Sequence, residues 1–450
     1  MSAIFCGIDI GTTNLKVALV DGEEARTIWV DAVPTPRVSD GIGPVTDAAA
    51  LLAAIENMIV RGWLAVGRGR PLAAIAAAGI GEDGIGVDGR LRPTGHALPW
   101  FDMRARQEAT ELQAAGRHDE DAGIAIDATR TAAKWLWLAR HRPDEMRIAQ
   151  LWLAVTDYPA VAWTGTPFIS ETLAVRTACY SLTTRGFIPE LLAAAAAPPL
   201  PMVMVAGTVV GTVRHGALRA SGAADDTTLV VAGGHDHPVA AAAILARDPT
   251  RRVDSLGTAN LIYAEARRGQ LARRPPSLAF GTPIRGGAGL ACLGVFEFAR
   301  ALDAFKVDRE ALSRLLAAPS IAAAPSSEVP PIGMAADRKI TPTQALEACA
   351  FQARAMLEAA EAAGAAGGPI VATGGWARSR ALVELRASVF GQSVYTVDEE
   401  ELTAFGAAML ASEGARRSFS DRVRHAESAI APRQDWAHHY QSLYARWRTN

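Results

Sequence analysis

The apolar run from Ile4 to Ile10 breaks at Gly11-Thr12-Thr13-Asn14 and resumes at once from Leu15 to Val20. Two short apolar runs joined by a four-residue turn of glycine, hydroxyl and amide residues read as strand, tight turn, strand. A Walker loop is excluded, because it needs a strand running into a helix and a Gly-Lys-Ser/Thr close that is absent here. The turn offers main-chain N–H groups and hydroxyls to an anion, Thr13 and Lys16 add a donor and a positive charge, and Asp9 at the strand end can hold a hydrated Mg²⁺. An ordinary hairpin turn with an exposed acid would be spelled the same way. A second glycine-punctuated acid, Gly233-Gly234-His235-Asp236-His237-Pro238, lies past the middle. Together the two stretches suggest a chain that handles phosphate groups.

With 450 residues the chain exceeds one ordinary core, so two domains are expected, residues 1–228 and 229–450. Half the residues are hydrophobic and a fifth charged, which suits a globular protein with ample core. A net charge of −2 gives no electrostatic case for nucleic acid or an anionic membrane, so phosphate sites must be built locally from loops and metal. No stretch reads as a membrane span or signal peptide, and the cytoplasm is the expected compartment. Cys6, Cys179, Cys292 and Cys349 are scattered without zinc or disulfide spacing and read as reduced structural thiols.

Asp47 is placed to cap a helix whose apolar positions Leu51, Leu52, Ile55, Ile59 and Trp63 recur at helical spacing. Leu72 to Ile80 reads as a buried strand. Gly79 to Gly84 then spells G-x-G-x-x-G, but the continuation to Leu91 is strand-like with an Asp-Gly turn, which excludes the dinucleotide fingerprint's helix. The Trp135/Trp137 segment reads as a helix, Leu229 to Ala232 as the strand opening the second domain, and Pro342 to Ala363 as an Ala-rich helix. Trp436, Tyr440, Leu443 and Trp447 form a docking stripe.

The hairpin resembles the first phosphate motif of the actin-like ATPase superfamily, and the chain from Phe5 to about Ser412 resembles its FGGY carbohydrate kinases of the xylulokinase and glycerol kinase kind. Lys134 to Leu138 with Arg140-His141 is similar to a family signature, with Thr129 departing at its opening position. Val155 to Tyr158 with Thr164-Gly165 resembles the linking segment and Gly233 to His237 the catalytic loop. Ser255-Leu256-Gly257-Thr258-Ala259 resembles the second phosphate loop, and Thr373-Gly374-Gly375 with Arg378-Ser379 the adenosine motif. The resemblance implies an α/β fold of two actin-like (ribonuclease H-like) domains, mixed sheets flanked by helices, facing each other across a catalytic cleft. It also implies transfer of the γ-phosphate of ATP, with Mg²⁺, to a hydroxyl of a small sugar, ketose or polyol, a xylulose-like pentulose foremost.

Within that frame Asp236 is assigned as general base, since a sugar hydroxyl must lose its proton as it attacks the terminal phosphate. Pro238 suits the first position of a helix over Val239 to Ala246, whose N-terminus would favour the transferred phosphate. Two other roles stay open: Asp236 capping that helix, or His235, Asp236 and His237 binding a metal, although adjacent residues rarely converge on one ion. Gly257 and Thr258 are expected to cradle phosphates, Gly374 and Gly375 to leave room for adenine beside Arg378, and Ser379 to open a helix. For the acceptor, Glu82 and Asp83 stand where the family presents polar groups to sugar hydroxyls, Trp100 and Asp102 border that pocket, and His237 can donate to a substrate oxygen. A solvated Glu-Asp turn fits the same residues. The family's usual substrate motif is absent at 81–84, and the segment from Phe280 to Pro342 looks shortened. A four-carbon sugar or sugar acid is therefore kept as an alternative acceptor, a non-catalytic nucleotide-dependent sensor as an alternative class, and a homodimer as an open assembly.

Overall fold

The computed structural model describes residues 2–67, 69–114, 121–267, 274–321, 324–332, 340–417 and 428–449. Contacts divide the chain into two units, each assembled from three separate segments. The first is Met1–Ala243 with Phe280–Ala288 and Glu401–Arg424, and the second is Ile244–Ala279 with Gly289–Glu400 and His425–Asn450.

In the first unit the hairpin forms as its spelling requires. Ile4–Ile10 pairs antiparallel with Asn14–Asp21, in a register that sets Asp9 opposite Lys16. The six-stranded sheet runs Val209–Thr212, Leu229–His235, Ala74–Gly79, Ile4–Ile10, Asn14–Asp21, Arg26–Pro34. Its middle three strands are parallel, and Ile10, Gly79 and His235 lie in one row at their C-terminal ends. That row puts the loops after all three strands on one edge, where open α/β sheets bind ligands.

One face of this sheet is covered by the helix Ala48–Val66. Asp47 caps it by accepting the amides of Ala49 and Ala50, and Leu51, Ile55, Met58 and Ile59 enter the core. This helix is long and apolar enough to cross a membrane by length and composition, but it carries Glu56 and Arg61 and so is not an uncharged span. It packs against the unit by one face only, and its Glu56 accepts the indole N–H of Trp163 at 3.0 Å and the amide of Ala217 at 3.2 Å. The helix Leu402–Gly414 lies against Ile4–Ile10, Ala74–Gly79 and Leu229–His235. It approaches closely because Gly7 has no side chain: a Cβ there would sit 2.7 Å from the Ala408 amide nitrogen and inside the Ala404 carbonyl oxygen.

The units differ from the boundary at 228/229 in three places, one of them Phe280–Ala288, which belongs to the first unit. Leu229–His235 is an inner strand of the first unit's sheet, because hydrogen bonding to Ala74–Gly79 holds it there. Glu401–Arg424 returns to the first unit as well.

The second unit's sheet contains, in order, Leu290–Phe296, Asn260–Ala266, Arg252–Leu256, Ile370–Thr373, Val394–Thr396 and Ser428–Ile430. Arg252–Leu256 and Ile370–Thr373 are parallel, with Ser255 beside Thr373, so the turns that follow them share an edge. The helix Pro342–Ala362 opens on a Thr341/Gln344 capping box, and Ser379 caps Arg380–Phe390 by accepting the Leu382 amide. The C-terminal helix Gln434–Trp447 buries Trp436, Tyr440 and Leu443 of the stripe read from the sequence and leaves its fourth member, Trp447, half-buried. All four cysteines are buried, and among the described residues none is joined in a disulfide.

Candidate active site

The first unit gathers Asp9, the 11–14 turn, Lys16, Glu82, Asp83, Trp100, Asp102, Asp236 and His237; the second holds Gly257, Thr258, Gly374, Gly375 and Arg378.

The carbonyls of the hairpin turn are tied inward. Gly11 O accepts the Thr35 hydroxyl at 2.7 Å, Thr12 O accepts Arg37 Nη2 at 2.9 Å, and Thr13 O accepts the Thr35 amide at 2.9 Å. Among the described residues no acceptor lies on the amides of Thr12 or Thr13. Carbonyls turned in and amides left open make an anion nest. Trp100 donates its indole N–H to Thr12 Oγ1 at 2.9 Å, which links the 100–102 segment to this turn.

Asp9 has its carboxyl pushed up to about 7, first by burial and then by the charge of Asp236, with Lys16 opposing the rise. Lys16 itself is held by Glu401 Oε2 at 2.6 Å. Asp236 opens the helix Asp236–Leu245, two residues earlier than Pro238 suggested, so the carboxylate belongs to the first turn rather than preceding it. Its Oδ1 accepts the His237 amide at 2.7 Å and lies 3.3 Å from His235 Nε2 and 3.6 Å from His237 Nε2. The side chains of these three consecutive residues converge, with one ligand atom from each inside 4.8 Å. They approach one another because the strand end at His235 and the helix start at Asp236 turn the chain between them. Burial holds the His235 imidazolium down to about 4, so this ring is neutral at neutral pH.

Glu82 and Asp83 differ sharply. Glu82 Oε1 is shared by the guanidiniums of Arg176, whose Nε lies at 2.8 Å, and Arg130. Burial alone would raise the Glu82 carboxyl, but the two arginines hold it well below the usual range. Asp83 is 1 % exposed, and among the described residues neither of its oxygens has a hydrogen-bond partner of normal geometry. Lys134 Nζ stands 3.8 Å away and the Trp100 amide nearby, yet burial still pushes this carboxyl up to about 7. Asp102 is committed to Arg104, accepting its Nε at 2.9 Å, and Arg104 also binds Asp40. Asp102 therefore shapes the segment that carries Trp100.

In the second unit the Gly257 amide donates to Ala259 O at 3.0 Å, closing the turn that carries Thr258. Gly374 has φ +85°, and a Cβ there would meet Leu256 O at 2.6 Å, whereas beside Gly375 the space is open. The two turns are thus in main-chain contact, with an open face at Gly375. Arg378 pairs with Glu400 at 2.6 Å on the surface. Beneath the Thr258 turn lie Asp254, Asn260 and Arg386, all fully buried: Asn260 Nδ2 donates to Asp254 Oδ1 at 2.6 Å, and Arg386 Nη2 donates to Asn260 Oδ1 at 2.8 Å.

Residues 4–243 match the model of the FGGY family of carbohydrate kinases, N-terminal domain, and residues 338–415 match that of its C-terminal domain. The chain belongs to the FGGY family of carbohydrate kinases. A xylulose kinase of Streptomyces coelicolor is 31% identical over 270 residues, which cover 58% of this chain and 54% of that protein. One from Streptomyces rubiginosus is 29% identical over the same length and coverage. The FGGY chain thus spans about half the length of the curated relatives it matches. The structure of xylulose kinase from Rhodospirillum rubrum aligns with TM-score 0.87 over 99% of this chain and 98% of that one, at 21% identity. These likenesses fix the fold class as α/β, with the mixed, helix-flanked sheets of FGGY proteins.

Sequence reasoning on this FGGY chain missed Arg130, Arg176, Arg37, Glu401 and the Asp254–Asn260–Arg386 group. None carried a local signal, since each acts through a partner distant in sequence; Lys16 and Glu401 are 385 positions apart.

Proposed function

We propose that the chain transfers the γ-phosphate of ATP to a hydroxyl of a small sugar, ketose or polyol, with a pentulose of the xylulose kind as acceptor. The observation that carries this reading is the row of Ile10, Gly79 and His235, which delivers the open amides of Thr12 and Thr13, the buried Asp83 carboxylate and Asp236 to one sheet edge. A phosphate cradle, a polyol acceptor group and a free carboxylate are the three parts such a transfer needs. The curated Streptomyces relatives, named as xylulose kinases, support the choice of acceptor.

In this reading Asp236 takes the proton of the attacking hydroxyl. The bond from that oxygen to the γ-phosphorus forms as the bridging bond to the β-phosphate breaks, and ADP carries away the electron pair. Gly11, Thr12, Thr13, Asn14 and Lys16 are the phosphate-binding residues of the first unit, and Gly257 and Thr258 those of the second. Gly374, Gly375 and Arg378 serve the nucleoside end. Asp83, with Lys134 Nζ 3.8 Å away, accepts from acceptor hydroxyls; Trp100 and His237 border them, and Asp102 supports Trp100 through Arg104. Asp9 fits a hydrated Mg²⁺, because its half-buried carboxylate feels a second acid, Asp236, and the opposing lysine, Lys16, is shared with Glu401. When bound, that ion neutralises charge developing on the phosphates.

A sugar acid is a second reading, favoured by the Arg130 and Arg176 guanidiniums that converge on one carboxylate oxygen. A panel of four- to seven-carbon ketoses, polyols and aldonic acids, assayed for ADP release, tests both. Pentulose-dependent release supports the first reading; release with none of the panel refutes kinase chemistry. Asp236→Asn should lower turnover roughly 10²- to 10⁴-fold with ATP binding kept, as expected for a positioned base. Near-normal turnover would remove Asp236 from that role.

A further inference from the structure

We propose that His235, Asp236 and His237 form a binding site for a borderline divalent cation, Zn²⁺ foremost, distinct from the Mg²⁺ expected at Asp9. Tetrahedral Zn²⁺ with ligands about 2.0–2.1 Å away requires its donor atoms to stand roughly 3.3 Å apart. Asp236 Oδ1 lies 3.3 Å from His235 Nε2 and 3.6 Å from His237 Nε2, and all three donors fall within 4.8 Å of one another. The imidazole rings are nearly perpendicular, at 83° with centroids 5.2 Å apart, so they do not stack and both present Nε2 toward the carboxylate.

Rigidity and access both suit the role. His235 ends a buried strand, and its amide donates to Thr172 Oγ1 at 2.9 Å, which fixes where its ring originates. The side chain of His235 is 8% exposed, that of Asp236 25% and that of His237 41%, so the cluster is anchored on one side and open on the other. Neighbouring charge nearly cancels: Arg130 and Arg176 share the single Glu82 carboxylate, which leaves one positive charge, and Asp9 adds an acid against it. Two imidazole nitrogens and one carboxylate oxygen select zinc-like ions, whereas Mg²⁺ and Ca²⁺ take oxygen ligands and water. An ion here occupies the oxygen that would otherwise accept the substrate proton. Zinc would therefore inhibit in competition with the acceptor; that consequence, unlike the binding itself, rests on the kinase reading.

The full-length chain, stripped with chelator and free of nucleotide, is titrated with Zn²⁺ against a chromogenic chelator, and with Co²⁺ for its ligand-field absorption. The expected result is one saturable equivalent per chain that millimolar Mg²⁺ does not displace. His237→Asn, at the open side of the cluster, should weaken it by more than the roughly 10- to 100-fold typical of losing an outer-shell partner, and His235→Asn, checked for folding by circular dichroism, should do the same. A control with His438→Asn and His439→Asn, the exposed pair on the C-terminal helix, should leave the equivalent in place. No saturable equivalent, or one that survives in the His235→Asn/His237→Asn double variant, overturns the site. Because binding is read without turnover, failure of the acceptor panel would leave this result standing by itself.

Discussion

Replacing Asp157 by Asn should stabilise the protein at alkaline pH. The Asp157 side chain is 2% exposed, and both oxygens face Ser170, accepting its amide at 2.7 Å and its hydroxyl at 2.6 Å. Burial outweighs these bonds and lifts the carboxyl from 3.8 to about 7. The folded chain therefore holds a proton that the unfolded chain has lost across that window. The stability Asp157 contributes is complete below pH 3.8 and falls as pH rises toward 7. At about 1.4 kcal/mol per pH unit, the folded state above pH 7 bears a cost on the order of 4 kcal/mol. Asparagine cannot ionise; its oxygen can accept the Ser170 amide and its NH₂ can donate to the Ser170 hydroxyl. Reorienting that hydroxyl gives back about 1 kcal/mol. The expected gain is about 3 kcal/mol at pH 8, a rise in Tm of roughly 5–10 °C for a unit of this size, shrinking to within about 1 kcal/mol at pH 5. Thermal melts of both proteins from pH 5 to 8 measure it. An advantage that does not grow with pH, or a lower Tm at pH 8, would show that the buried carboxyl is not the source of the cost.

Glu82→Gln leaves the Arg130 and Arg176 guanidiniums without their shared counter-charge, and removing one partner of a buried pair costs about 3–5 kcal/mol. Denaturant melts should show most of that loss, and a change under about 0.5 kcal/mol would mean that solvent already screens the arginines. Gly7→Ala should cost at least about 3 kcal/mol, beyond ordinary overpacking, because the neighbour it strikes is the main chain of Leu402–Gly414. Hydrogen exchange should then show lost amide protection in that helix; unchanged protection would mean that it is not seated on Gly7.

What could be read from the sequence was whatever a short window specifies. The Ile4–Ile10 hairpin follows from two apolar runs and a turn, the caps at Asp47 and Ser379 from one side chain each, and the Trp436–Tyr440–Leu443 stripe from spacing. What escaped depends on pairings between distant segments. Leu402–Gly414 is buried on nearly every side, so it has no polar face to reveal which sheet it serves. Glu82 and Asp83 are adjacent and chemically alike, yet one is clamped by arginines from 130 and 176 while the other faces only the more distant Lys134, at 3.8 Å, and the Trp100 amide among the described residues. The approach of His235 and His237 to Asp236 needs the change from strand to helix at that point, which spacing alone does not convey.

The return of residues 401–424 to the first unit bears on how the protein is made. A nascent chain emerging from the ribosome at about 5–20 residues per second would wait roughly 20–80 s between the appearance of the first strand and that of the helix that covers it. For that interval an apolar sheet face is left bare. A gene fragment ending near residue 243 would keep it bare permanently, so such a fragment should be recovered from cells as aggregate or bound to chaperones.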